Sequence, residues 1–233
     1  MKTLKIKLVP FLLIIIALSS KAYSQSDKDF GAWSTIALEY KLNKKLSFAL
    51  EESLRLKDDL AKIDEYFTEI GTEYELTKNL SIGAAARFIK QNDTEGNIQG
   101  YENHFRFQFD AAYKHKIDQF SLKYRIRYQN KNELGVDDSE GDYANQHIRF
   151  KTSLGYNIKG WKLDPEVSAE LFNHFEKNEE NGFDKYRLAI GTDYDLKKYG
   201  KINVYYQFEK ELNTTNPDIL KVIGLKYKYT FKN

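Results

Sequence analysis

Polar and apolar positions alternate along most of the chain. Between Tyr101 and Tyr113 one face reads Tyr101, Asn103, Phe105, Phe107, Phe109, Ala111 and Tyr113, and the other Glu102, His104, Arg106, Gln108, Asp110 and Ala112. Further on, Phe120, Leu122, Tyr124, Ile126 and Tyr128 alternate with Ser121, Lys123, Arg125 and Arg127. The last segment sets Ile223, Leu225, Tyr227, Tyr229 and Phe231 against Gly224, Lys226, Lys228 and Thr230. A strand at period two separates such faces cleanly, whereas a helix would mix them. The pattern predicts eleven strands, at about 32–42, 46–57, 63–76, 80–90, 100–115, 119–130, 143–157, 161–174, 183–195, 200–211 and 219–232. Most are longer than the 5–6 residues of an average soluble strand and reach the roughly 9–11 that a tilted strand needs to cross a bilayer.

The connections alternate in length. Short ones fall at 42–45, 77–79, 116–118, 157–160 and 196–199, and longer polar ones at 58–62, 91–99, 131–142, 175–182 and 212–218. Short turns at one end and longer loops at the other point to an all-β fold, an up-and-down antiparallel transmembrane β-barrel of about 10–12 strands. Eleven is odd, where an even count is expected. A missed or merged strand, a twelfth strand near 26–30, or parallel closure between first and last strands would each account for it. With short turns facing the periplasm, the last strand ends there. The first then starts on the other side, which sends residues 25–31 into the lumen or outside.

Aromatic residues stand on the apolar face beside nearly every short turn: Tyr40, Tyr74, Tyr113, Phe120, Tyr156, Trp161 and Tyr194. At one level of a barrel they would form an interfacial girdle. Aromatics are also good strand formers, which explains their number but not their position. Alternation alone does not say which face is inside. A soluble barrel points its apolar face inward, and a membrane barrel points it at lipid. Strand length and the girdle favour the membrane arrangement.

The N-terminus agrees. Lys2, Lys5 and Lys7 precede an apolar run from Val9 to Leu18, and Ala22-Tyr23-Ser24 is a small-x-small cleavage signature. Residues 1–24 therefore read as a secretory signal peptide and 25–233 as the barrel domain, since the apolar run is too short to span a bilayer. Cleavage removes four lysines and no acids, taking the formal charge from +2 to −2. No nucleic-acid footprint is left, so no nucleic-acid partner is expected. The chain has no Cys, which excludes disulfides, thiolate metal sites, a Cys nucleophile and a lipid-anchored lipoprotein terminus.

On the membrane reading the lumen is lined by Glu51, Arg55, Glu69, Glu73, Arg87, His104, Arg106, Lys123, Arg125, Arg127, Arg149, Glu166, Glu170, Arg187 and Glu209, with Asp110, Lys151, Asp193, Lys226 and Lys228 on the same faces. The central strands contribute mostly Arg and Lys, and the second, third and eighth mostly Glu. A wide lumen with one basic and one acidic wall would tune selectivity. A narrow one would fill with Arg–Glu pairs and not conduct.

Catalytic signals are weak. His104, His147 and His174 fall on polar faces near enough to approach one another, but no nucleophile elbow and no HExxH pattern accompanies them. No catalytic residue, metal or cofactor is assigned; a lumen or rim hydrolase is the enzymatic alternative. Glu133, Asp137, Asp138, Glu140 and Asp142 share one loop, and a solvated acidic loop explains them better than a Ca²⁺ site.

From Asp29 to the C-terminus the chain resembles domain of unknown function 2490, a family of bacterial outer-membrane β-barrels. The resemblance rests on Trp33, Glu51-Glu52-Ser53-Leu54-Arg55, Tyr66-Phe67-Thr68-Glu69, Arg87-Phe88, His104-Phe105-Arg106 and Tyr124-Arg125-Ile126-Arg127-Tyr128-Gln129. It continues in Glu170-Leu171-Phe172, Asp184-Lys185-Tyr186-Arg187 and Tyr205-Tyr206-Gln207. What it implies is a barrel in the outer membrane; with the signal segment, the expected location is the outer membrane of a Gram-negative bacterium after Sec-type export. It implies no reaction. The expected partners are outer-membrane lipid and, through the C-terminal strand, the barrel-assembly machinery. The expected function is a small porin-like pore of unknown substrate. The alternatives are a non-conducting structural barrel with a salt-bridged interior, and a soluble secreted barrel that binds an apolar ligand.

Overall fold

The computed structural model describes residues 28–94, 99–136, 144–177 and 181–232. The segment read as a signal peptide lies outside these residues, as do Asp137, Asp138, Glu140 and Asp142. The chain forms β1 (Lys28–Lys41), β2 (Leu46–Lys57), β3 (Lys62–Glu75), β4 (Leu80–Asp93), β5 (Gly100–Ile117), β6 (Phe120–Glu133), β7 (Asn145–Tyr156), β8 (Leu163–Phe175), β9 (Gly182–Asp195), β10 (Lys201–Glu211) and β11 (Ile219–Lys232). A single 3-10 turn, Lys197–Tyr199, joins β9 to β10. Each strand pairs antiparallel with its sequence neighbours, and the sheet closes on itself.

Closure is made by β1 and β11, which run parallel in unbroken register from Lys28↔Ile219 to Lys41↔Lys232. Parity requires this. In an up-and-down barrel each strand reverses the last, so an odd number brings the first and last strands together in the same direction. The structure thus corrects two expectations from the sequence. Among the described residues there is no twelfth strand near 26–30, and residues 28–31 lie in the barrel wall rather than in the lumen or outside it. β1 starts four residues earlier than the pattern predicted, because Lys28–Gly31 pair with Ile219–Val222.

The short turns have local chemistry behind them. The Asn43 side chain accepts hydrogen bonds from the Lys45 and Leu46 amides at 2.8 and 2.9 Å, and Thr77 Oγ1 accepts from Leu80 N at 3.0 Å. Both are the Asx and Ser/Thr turns that let a short polar side chain replace a backbone partner. Between β5 and β6 the reversal is made at Asp118, whose φ of 52° is left-handed and which an Asp tolerates better than most residues. At the opposite end, Asp58, Asp59 and Leu60 all have positive φ, and Lys62 pairs with Asp58 at 2.7 Å.

The two faces of the wall are sharply different. Ile36, Phe109, Ile126 and Ile190 stand on the outside, each more than half exposed. At alternate positions the inside buries Gln108, Arg149, Glu170 and Gln207. This is the inverse of a soluble barrel enclosing an apolar ligand, where the apolar face turns inward. A 14-residue strand such as β1 rises about 45 Å along its own direction, or roughly 35 Å along the axis at a tilt near 40°. That exceeds the roughly 30 Å hydrocarbon thickness of a bilayer.

Candidate functional site

The inward positions of the strands converge on a dense ionic network. Glu170 on β8 is its centre, with a side chain only 2% exposed. Its Oε1 accepts from Arg149 Nε of β7 at 3.0 Å and from Arg125 Nη2 of β6 at 2.7 Å, and Arg187 Nη1 of β9 lies 3.7 Å from Oε2. Arg187 also pairs with Glu209 of β10. A second centre is Glu69 on β3. It accepts from Arg87 Nε at 2.7 Å and from Arg106 Nη2 at 3.3 Å. Arg127 makes a bidentate pair with Asp110 at 2.7 and 2.8 Å, and Arg55 meets Glu65 at 2.6 Å. Buried charges cost several kcal/mol of desolvation each unless paired this well, which is why so many are held two or three to a carboxylate.

Several of these contacts skip a strand. Arg125 reaches Glu170 past β7, and Lys226 of β11 reaches Glu51 of β2 past β1, at 2.5 Å. Long guanidinium and ammonium stems make this reach possible on the concave side of a barrel. Ion pairing inside the barrel therefore extends beyond adjacent strands.

Aromatic rings support the guanidinium groups. Arg55 lies 3.9 Å over the Trp33 ring, Arg87 3.5 Å over Phe67, and Arg149 4.3 Å over Phe172. Arg187 also lies 5.3 Å from the Trp33 ring centroid, although β9 and β1 are separated by β10 and β11. That contact narrows the lumen. Such stacking adds about 0.5–2 kcal/mol per pair where the cation is desolvated. From sequence, Trp33, Phe67, Phe172 and Tyr205 enter only through the family resemblance. Their signal was parity, since each shares its face with the charged residues of its strand.

Between these side chains lie two chambers along the barrel axis. The one nearer the short turns has a volume of about 550 Å³ and is walled by six acidic and five basic residues. The other, at mid-height, has about 500 Å³ and is walled by ten basic and five acidic residues. Glu51, Arg127, Asn203 and Lys226 belong to both walls, so the chambers adjoin at that level. All the residues assigned to the lumen from sequence line one chamber or the other, except His104. The wall is not divided simply into a basic and an acidic side; the charge excess differs along the axis instead. An apolar groove of about 510 Å³ on the outer wall, between Leu154, Val167, Leu188, Ile190, Tyr206 and Phe208, belongs to the exposed apolar band.

The histidines do not assemble as a trio. His147 and His174 stack with ring centroids 4.8 Å apart, His147 Nε2 lies 3.0 Å from Asp184, and His174 Nε2 3.1 Å from Glu176. His104 lies instead 3.3 Å from Glu102 on its own strand. No group of three or more potential ligands that could hold a metal is found among the described residues. Of the residues expected in a girdle, Tyr40, Tyr74, Tyr113, Phe120, Tyr156 and Trp161 are exposed beside the short turns. The Phe120 and Tyr156 rings pack at 4.8 Å. Tyr194 is half-buried, with the Lys162 ammonium 5.8 Å from its ring. Trp161 precedes β8 rather than lying in it.

A closed, eleven-stranded, up-and-down β-barrel with a charged interior and an apolar exterior defines the class. The description of the family "Protein of unknown function (DUF2490)" matches residues 30–219, and the chain belongs to that family. Among solved structures it is similar to the β-domain of the Bordetella autotransporter BrkA. That similarity has a TM-score of 0.50 at 10% identity and covers 78% of this chain and 82% of that one. At such identity it shows the fold alone. No curated protein matches the sequence.

Proposed function

We propose that the protein is an outer-membrane β-barrel whose lumen is a constricted channel for small hydrophilic solutes. The observation that carries this reading is the pair of adjoining polar chambers at the centre of a closed barrel, sharing Glu51, Arg127, Asn203 and Lys226. Barrels of eight strands fill with side chains, and those of sixteen leave an open aqueous channel. Eleven strands fall between, where a narrow passage between ordered charges is expected.

Location follows from the same physics. An apolar exterior with exposed aromatics beside the short turns suits lipid on all sides, which makes outer-membrane lipid its partner. Export by a Sec-type signal in a Gram-negative bacterium, and insertion through β11 by the barrel-assembly machinery, complete the proposal. It assigns no reaction, cofactor or nucleic-acid partner.

A second reading is a non-conducting structural barrel. It is favoured by the contact of Arg187 with Trp33 across the lumen and by the burial of Glu170. Single-channel recording of the refolded barrel in a planar bilayer separates the two. Discrete, reproducible steps are expected of the channel. Silence from protein shown to be inserted establishes the structural barrel.

A further inference from the structure

We infer that the mid-height chamber is a binding site for a small oxyanion of the phosphate or carboxylate type, held between Lys151, Arg125 and Arg187. This deepens the channel reading, on which it rests, by naming the class of solute.

The charge balance of the chamber is the starting point. Its wall carries twice as many basic as acidic residues. Four of the cations share three carboxylates set beyond the wall: Arg55 pairs with Glu65, Arg87 and Arg106 with Glu69, and Arg127 with Asp110. The larger excess sits around Glu170. There Arg125, Arg149, Arg187, Lys185 and Lys151 face Glu170, Glu209 and Glu166, an excess of two positive charges. Glu170 spends its oxygens on three guanidinium groups. In the sheet Lys151 lies directly between Arg125 and Glu170 in register. Yet Arg125 reaches past it to the carboxylate, and Lys151 has no hydrogen bond or ion pair with any described residue.

A half-buried ammonium with no ion pair, facing a cavity next to guanidinium groups, is costly unless a counter-charge arrives. The same wall carries further donors without acceptors: buried Nε atoms of Arg55, Arg106 and Arg125, and Nε2 of Gln207. A chamber of about 500 Å³ accommodates a small oxyanion with several waters, taking about 30 Å³ for each water. Arg presents a planar fork and Lys a point charge, a combination that suits tetrahedral and carboxylate oxyanions alike. The chamber nearer the short turns, with nearly balanced charge, offers no comparable site.

The test is calorimetric titration of the refolded barrel in non-ionic detergent at low ionic strength, with inorganic phosphate and, separately, succinate. Saturable binding of phosphate, of succinate or of both is expected, and which of them binds identifies the oxyanion. Lys151→Gln is expected to weaken that binding about tenfold or more, the loss of one charge-assisted hydrogen bond. Because it removes an uncompensated charge, it is also expected to leave the unfolding temperature equal or higher in the absence of anion. The anion should raise the unfolding temperature of the parent barrel and not that of the variant. Absence of binding for both probes overturns the proposal. So does binding unchanged in Lys151→Gln, or a variant that merely unfolds earlier with its affinity intact. The two readings fail separately: conduction without binding removes the anion site, and binding without conduction removes the channel.

Discussion

The phenol ring of Tyr205 lies across Gly224 on the neighbouring strand. A Cβ placed on Gly224 would come within 2.0 Å of Tyr205 Cζ. Register puts Gly224 on one side of Tyr205 and Gly191 directly on the other, and a Cβ on Gly191 would stand 2.8 Å from Tyr205 Cβ. Two inward-facing glycines thus clear the space that one large inward ring occupies, a known device for covering bare backbone in a curved sheet.

Gly224→Ala should force the ring out of this position and cost about 1–3 kcal/mol, the usual penalty for overpacking. In a Tyr205→Ala background the same change should cost almost nothing. Urea unfolding of the four proteins in lipid vesicles forms the double-mutant cycle. A coupling near zero would mean that the ring and the glycine act independently.

Glu170→Gln leaves three guanidinium groups, of which Arg149 is buried, sharing a neutral amide. Breaking a buried network from one side typically costs about 3–5 kcal/mol, and a loss in that range is expected in the same unfolding assay. Adding Arg149→Gln, which removes a cation only 9% exposed, should restore part of it. If the double variant is less stable than Glu170→Gln alone, charge imbalance is not what the network relieves.

Ile126 is 54% exposed at the middle of β6. If that face meets the hydrocarbon core, Ile126→Arg should destabilise the inserted barrel by about 2–4 kcal/mol, and Leu134→Arg, just beyond the strand end, by about 0–1. Equal effects at the two positions would place the band out of the bilayer. The heat-dependent mobility of the folded protein on denaturing gels should be lost in proportion.

Lys226 and Glu51 pair at the level where the two chambers meet. Replacing both by Ala removes the pair together, so no charge is left unanswered, and the passage widens. Single-channel conductance should rise while unfolding stability changes little. An unchanged conductance would put the constriction elsewhere, with the Arg187–Trp33 contact as the next segment to truncate.

Alternation by itself determined that this chain forms long strands, in what order, and with which residues sharing a face. It did so because a strand's two faces are read at every second residue, with no need of distant partners. The aromatics beside the turns were legible for the same local reason, and so was the placement of Arg125, Arg127, Glu170 and their companions on a single side. Three things required the closed structure. The parallel seam between β1 and β11 joins residues nearly 200 positions apart and leaves no local mark, so from sequence it stood as one of three explanations of the odd strand count. The orientation of the faces is a property of the closed surface, since alternation is identical whether the charges point in or out. The ionic network also depended on curvature: only inside a barrel do Arg125 and Glu170, or Lys226 and Glu51, converge past an intervening strand. That convergence leaves Lys151 without a direct ion pair, which spacing in the sequence does not reveal.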